Sequence, residues 1–276
     1  TGRDKHLQNR RDRLSKIIDE NNVKKQSAIF QKRHCPLCSS NNYLILFRKE
    51  GFDHVRCKKC TMVYVNPILN EEKTHSFYMN EESYNKVLNN RLQVNLDKKR
   101  FDYSLNLIEE ITGEPGSILD IGAGPGFFLE RALKKGWNAT AIEMNTFSIE
   151  KLESLGIKVY NKPLEKINLN KSFDCITLWA LLEHLINPDK MIKYIGKILN
   201  ENGVLALNVP NFDSLVVRIT QEKCATFSGE SHINHFNNNT LTKILDKNGF
   251  KKISIETIFS EINTIQNYLS FEKLYL

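Results

Sequence analysis

Cys35-Pro36-Leu37-Cys38 and Cys57-Lys58-Lys59-Cys60 are two C-x2-C knuckles with 18 residues between them. Two short turns at that spacing can present four thiolates in a tetrahedron, the preferred shell of Zn²⁺. Four protein ligands leave the ion no open position, so the expected role is structural. Paired cysteines also serve as disulfide frameworks in secreted chains. No apolar signal-peptide core follows the basic start, and zinc is the expected use here. Cys175 falls in an apolar run and reads as a small core residue. Cys224 has no cysteine at useful spacing.

A second constellation begins at Ser117-Ile118-Leu119-Asp120-Ile121 and runs into Gly122-Ala123-Gly124-Pro125-Gly126, with Phe127 opening a helical pattern. Glycines there permit positive φ and let a ligand approach the backbone. The helix that follows offers free N–H groups. Glu143 lies 23 positions beyond Asp120, at the end of the next apolar run. An acid in that place can accept both hydroxyls of a ribose. The dinucleotide fingerprint G-x-G-x-x-G would need glycine at 127, where Phe127 stands. An acid two residues before the first glycine suits a cofactor with a cationic amino-acid end and no pyrophosphate.

Histidine is the side chain best poised to move a proton near neutral pH. His184 follows an apolar run at 173–179, and His232 and His235 sit in the polar stretch 229–236. Each can be a base or a structural group that bridges backbone. Glu183 reads as a structural partner.

The elements that must position these groups alternate. Apolar runs at 117–121, 138–143, 157–160, 173–179 and 203–209 are separated by helical-period segments at 127–135, 146–155 and 188–199. Strands alternating with helices imply right-handed crossovers and a parallel sheet. A further helix is expected over 240–249 and a further strand over Lys252–Phe259, followed by an apolar segment, 262–276. Upstream, residues 4–31 read as a polar helix with a thin stripe of Leu7, Leu14, Ile17 and Ile18. The expected division is a basic helix at 1–33, a zinc ribbon at 34–67, a helical lid at 68–112 and the α/β domain at 113–276.

The Asp120–Gly126 loop, Glu143, the run Phe173–Trp179 and Leu182-Glu183-His184-Leu185 with Asn187-Pro188 together resemble class I S-adenosylmethionine-dependent methyltransferases, with a core of the ubiquinone-biosynthesis type. The resemblance covers roughly residues 100–260. It implies a doubly wound, seven-strand-type, Rossmann-like sheet and S-adenosylmethionine as cofactor. It also implies that Asp120, Gly122 and Gly124 hold the methionine moiety, that Glu143 holds the ribose, and that Met144, Leu164 and Trp179 flank the adenine. Many members carry an Asp before the position of Leu164; Asn161-Lys162-Pro163 supplies none. The cysteine ribbon followed by Phe77, Tyr78 and Tyr84 is similar to methyltransferases of polysaccharide and deoxysugar pathways. In those relatives one histidine in each of two regions faces the acceptor, which implies catalytic roles for His184 and His232, with Tyr78 and Tyr84 lining the pocket.

Composition sets the remaining bounds. The chain has 276 residues, 41% hydrophobic and 26% charged, ordinary for a globular protein. No stretch approaches the roughly 18 apolar residues of a membrane span, and a cytoplasmic location is expected. The net charge of +7 is concentrated at the start: residues 1–60 hold 15 Lys and Arg against 6 Asp and Glu. That surplus is either a solvated face or a grip on an anionic partner such as RNA. The expected function is therefore methylation of a small hydroxylated acceptor, a sugar or nucleotide-sugar, on oxygen or carbon. Its rivals are an RNA methyltransferase, since one ribosomal branch also begins with a C-P-L-C module, and a non-catalytic cofactor-binding adaptor.

Overall fold

A computed structural model describes residues 12, 14–18, 27–74, 91–169 and 171–257. The chain gathers into two compact units, one of Thr1–Ile17, Asn70–Leu182 and Lys190–Asn208, the other of Ile18–Leu69, Glu183–Asp189 and Val209–Leu276.

The second unit opens with a short strand, β1 (Phe30–Gln31), which pairs antiparallel with β5 (Ile68–Leu69). Between them β2 (Tyr43–Lys49), β3 (Phe52–Cys57) and β4 (Val63–Val65) form an antiparallel meander. Phe52, Val55, Tyr64 and Val65 are fully buried in it. The two cysteine knuckles are built alike. The N–H of Ser39 donates to the carbonyl of Cys35 at 2.9 Å and that of Thr61 to Cys57 at 3.0 Å. Ser39 and Thr61 each follow the second cysteine of a pair and take φ of 59° and 68°, which turns the chain back on itself.

The first unit carries the α/β sheet. α1 (Arg91–Thr112) leads into β6 (Ser117–Ile121), and the order continues α2 (Phe127–Lys134), β7 (Asn138–Ile142), α3 (Thr146–Ser154), β8 (Lys158–Tyr160), β9 (Phe173–Trp179), α4 (Pro188–Ile198) and β10 (Leu199–Asn208). The five strands lie in the order β10-β9-β6-β7-β8, all parallel. β6 and β7 are buried over nearly their whole length, as a sheet covered on both faces requires. Leu105, Ile118, Phe128, Leu129, Trp137, Leu152 and Cys175 pack into one core around them. α3 is capped by Asn145, whose side-chain oxygen accepts the N–H of Ser148.

The rest of the second unit follows β10: α5 (Leu215–Thr220), β11 (Asn234–His235) and α6 (Asn238–Lys247). α6 begins with a capping box between Asn237 and Thr240. β11 pairs antiparallel with β4, so the ribbon's four-stranded sheet, β11-β4-β3-β2, takes its last strand from the far end of the chain.

Two expectations are corrected. The N-terminal helix does not extend to 31, because Ser27–Ile29 is a 3-10 turn and Phe30–Gln31 enters a strand. The strand expected over Lys252–Phe259 is absent at 252–257, where the residues are exposed and no strand edge receives them; 258–259 lie outside the described residues. The expected doubly wound α/β sheet is present, with five parallel strands among the described residues. Leu7, Phe77, Tyr78, Tyr84 and 262–276 also lie outside them. No helix among the described residues is long and apolar enough to cross a membrane.

Candidate active site

The strand order reverses beside β6, between its neighbours β9 and β7. Ligands of open α/β sheets bind at such a point, outside the carboxyl ends of the strands. The loop Gly122–Gly126 leaves β6 there. Gly124 has φ of +53°, and no atom lies within 4 Å of where a Cβ would stand. Gly126 has φ of +81° and caps α2, and a Cβ on it would meet Leu152 at 2.6 Å. A side chain is excluded at Gly126 by packing. Gly124 instead leaves open space above its backbone.

Glu143 closes the other side of this loop. Its Oε2 accepts the N–H of Gly124 at 2.7 Å, and its Oε1 accepts those of Met144 and Asn145 at 2.7 and 2.9 Å. Three backbone donors fix the carboxylate's orientation. Asp120, next to last in β6, is wholly buried. Its Oδ1 accepts the hydroxyl of Thr177 at 2.7 Å, while Oδ2 has no partner among the described residues. Burial pushes its carboxyl up to about 7, with Thr177 pulling it down and the charge of Glu143 adding to the rise. Trp179, at the end of β9, packs on Phe128 and Phe101 with ring centroids 4.9 and 5.6 Å away. Its buried indole N–H has no acceptor among the described residues. Leu164 is buried in a 3-10 turn after β8.

This donor set fits a nucleoside linked to a cationic amino acid. An orphaned buried carboxylate oxygen awaits positive charge, a second carboxylate stands by the loop, and the open glycine admits close approach. Sequence reasoning missed Thr177. A hydroxyl inside a buried apolar strand must find a partner, and that was its signal.

The histidines belong to the other unit. The Nδ1–H of His184 donates to the carbonyl of Ser231 and that of His232 to the carbonyl of Thr226, both at 3.0 Å. A carbonyl only accepts, so in each neutral ring the proton sits on Nδ1 and Nε2 keeps a lone pair. The two rings meet edge to face with centroids 4.7 Å apart. Burial pushes His184 down to about 3, helped by His232 and opposed by the Ser231 carbonyl. Buried Glu183 lies beside them, its Oε1 3.9 Å from His184 Nε2, and burial pushes its carboxyl up to about 8. The structure thus brings His184, His232 and Glu183 together. His235 is turned away: its Nε2 hydrogen-bonds His54 Nδ1 at 2.9 Å in an aromatic nest with Phe47, Phe212 and Phe227.

The four cysteine sulfurs lie within 4.8 Å of one another, with Cys35 and Cys60 at 3.4 Å and Cys38 and Cys57 at 3.5 Å. Sulfurs about 2.3 Å from a tetrahedral zinc would stand about 3.8 Å apart, so the cluster fits that ion.

Residues 96–255 match the family profile described as Methyltransferase domain. The chain belongs to this family. Its fold is that of the class I S-adenosylmethionine-dependent methyltransferases. The ubiquinone biosynthesis O-methyltransferase of Coxiella burnetii is 28% identical over 110 residues, 37% of this chain and 47% of that protein. The mitochondrial enzyme of the same name from Schizosaccharomyces pombe is 28% identical over 171 residues, 55% of this chain and 62% of that one. The chain thus spans about half the length of the curated relatives it matches. Among solved structures, the 1,6-didemethyltoxoflavin-N1-methyltransferase of Burkholderia thailandensis has a similar fold, with TM-score 0.55 and 14% identity over 80% of this chain and 93% of that one.

Proposed function

We propose that this chain transfers a methyl group from S-adenosylmethionine to oxygen or carbon of a small hydroxylated acceptor, a sugar or nucleotide-sugar. The observation that carries this reading is the His184–His232 pair. Both Nδ1 hydrogens are directed at backbone carbonyls, so in the neutral tautomer the lone pair of each ring lies on Nε2. A hydroxyl or carbon nucleophile needs such an acceptor more than an unprotonated amine does. The ubiquinone relatives are named as O-methyltransferases, which supports oxygen.

Within the α/β unit, Glu143 is the ribose acceptor, Asp120, Gly122 and Gly124 hold the methionine end, and Met144, Leu164 and Trp179 flank the adenine. When bound, S-adenosylmethionine supplies an electrophilic methyl group on a sulfonium. The acceptor's proton is taken at Nε2 of His232, next to His184. Burial keeps His184 unprotonated at neutral pH, so it acts as a lone-pair neighbour rather than an acid. Cys35, Cys38, Cys57 and Cys60 hold a structural zinc.

Transfer of labelled methyl groups to free sugars, nucleotide-sugars and RNA tests this assignment. Label is expected in the sugar class, with little dependence on salt. Label in RNA alone, lost steeply between about 50 and 200 mM salt, would replace the acceptor class.

A further inference from the structure

Arg33 stands two residues before the first zinc-binding cysteine, and its guanidinium is spent on three separate stretches of chain. Its Nε donates to the carbonyl of Val65 at 3.1 Å, Nη1 to that of Ile186 at 3.3 Å, and Nη2 to that of Ile233 at 2.8 Å and to Oδ1 of Asn234 at 2.7 Å. Its backbone N–H donates to Oδ1 of Asn66, and its guanidinium carbon lies 5.3 Å from the centre of the Tyr64 ring. All four acceptors of the side chain are uncharged.

The stretches it joins carry the histidine pair. The N–H of Ile233 donates to the carbonyl of Glu183, the side-chain amide of Asn234 to that of Leu185, and Nδ1 of His184 to that of Ser231. Residues 183–186 and 231–234 are therefore laced to each other; β11 and the Val65 N–H on the Ile233 carbonyl already tie the second stretch to β4, and Arg33 is the side chain that ties both stretches to β4 at once. The guanidinium spreads its donors over three nitrogens in a fixed plane, whereas a lysine ammonium donates from a single atom and cannot span acceptors this far apart in the same way.

A half-buried cation among neutral acceptors needs a counter-charge. No carboxylate pairs with Arg33 among the described residues, but a zinc ion with four thiolates carries roughly two net negative charges. Cys35 is one of those thiolates.

We propose that Arg33 is a positioning residue that couples the four-cysteine centre to the histidine pair: the metal centre holds Arg33 in place and charged surroundings, and Arg33 holds the two loops that present His184 and His232. The ribbon is then part of the acceptor site's scaffold. This rests on the zinc and proton-acceptor readings given above.

The test uses the full chain as wild type, wild type stripped of zinc with a chelator, Arg33→Met and Arg33→Lys. Zinc content is measured first. Modification of His184 and His232 by diethylpyrocarbonate is then followed by peptide mass spectrometry, with S-adenosylhomocysteine affinity as the readout for the other unit. Arg33→Met is expected to keep its zinc and its cofactor affinity while both histidines are modified about tenfold faster or more. Zinc stripping should give the same acceleration, and Arg33→Lys, with charge but no fork, should restore less than half of the protection.

Histidine rates within about twofold of wild type in Arg33→Met, or unchanged on zinc stripping, would overturn the coupling. So would a wild-type chain that binds no zinc. If Arg33→Met does not fold, hydrogen exchange at the Ile233 amide of wild type decides alone: faster exchange without zinc supports the coupling, and equal exchange sinks it. An active His232→Ala enzyme whose parent still shows zinc-dependent protection would remove the proton-acceptor reading and leave the coupling standing.

Discussion

The hydroxyl of Thr177 donates to Oδ1 of Asp120 at 2.7 Å, between adjacent strands in the buried centre of the parallel sheet. Among the described residues it is the one side-chain bond of a carboxyl that burial pushes up to about 7. The folded value lies above the unfolded one, about 3.9. The folded state therefore binds the proton more tightly, and stability falls as pH rises from about 4 towards 7. Asp120→Asn should flatten that part of the curve and melt higher than wild type at pH 8, while losing affinity for S-adenosylmethionine. Equal pH slopes in mutant and wild type would show that Asp120 is ionised throughout.

Glu143 tests the ribose assignment. Glu143→Ala should weaken S-adenosylhomocysteine binding by roughly 1–3 kcal/mol in calorimetry, because charged hydrogen bonds are lost. An unchanged dissociation constant removes the assignment.

For His232→Ala the expected change is a fall in kcat of roughly 10²–10⁴-fold. Cofactor affinity should stay nearly constant, since the proposed cofactor contacts lie on other residues. A proximity-only mechanism predicts instead that kcat stays within about tenfold of wild type.

Metal analysis should find about one zinc per chain, with four sulfurs near 2.3 Å by X-ray absorption. Cys57→Ser should loosen the ribbon sheet, and because β11 is its fourth strand, faster hydrogen exchange should reach Asn234 and His235 as well. Loss of protection confined to residues before 70 would contradict this.

The His54–His235 pair makes the second unit acid-sensitive. Burial, with the Lys49 charge adding to it, pushes His54 down to about 3; burial and His54 hold His235 well below its ordinary value. Both folded values lie below the unfolded 6.5, so stability present above that pH is lost as pH falls towards about 3. Urea midpoints should drop between pH 7 and 5, and the double substitution His54→Phe with His235→Phe should reduce that drop. An undiminished drop in the double variant would place the acid sensitivity elsewhere.

Local signals carried much of this protein. Strand and helix periods are set by neighbours within about ten residues, so β6 to β10 and their helices were legible along the chain. The glycine loop, Glu143 and the cysteine pairs were legible for the same reason, since each works over a few residues. Lys252–Thr257 alternates like a strand, yet alternation cannot say whether an open sheet edge lies within reach, and those residues stay exposed. What only the tertiary structure decided joins distant positions. β11 pairs with β4, His184 meets His232, and His235 turns to His54. Arg33 reaches Ile186 and Ile233. No spacing announces these contacts, because the partners' identities depend on which loops the fold returns to the same place. A half-buried guanidinium and an exposed one are the same letter until the carbonyls around it are known.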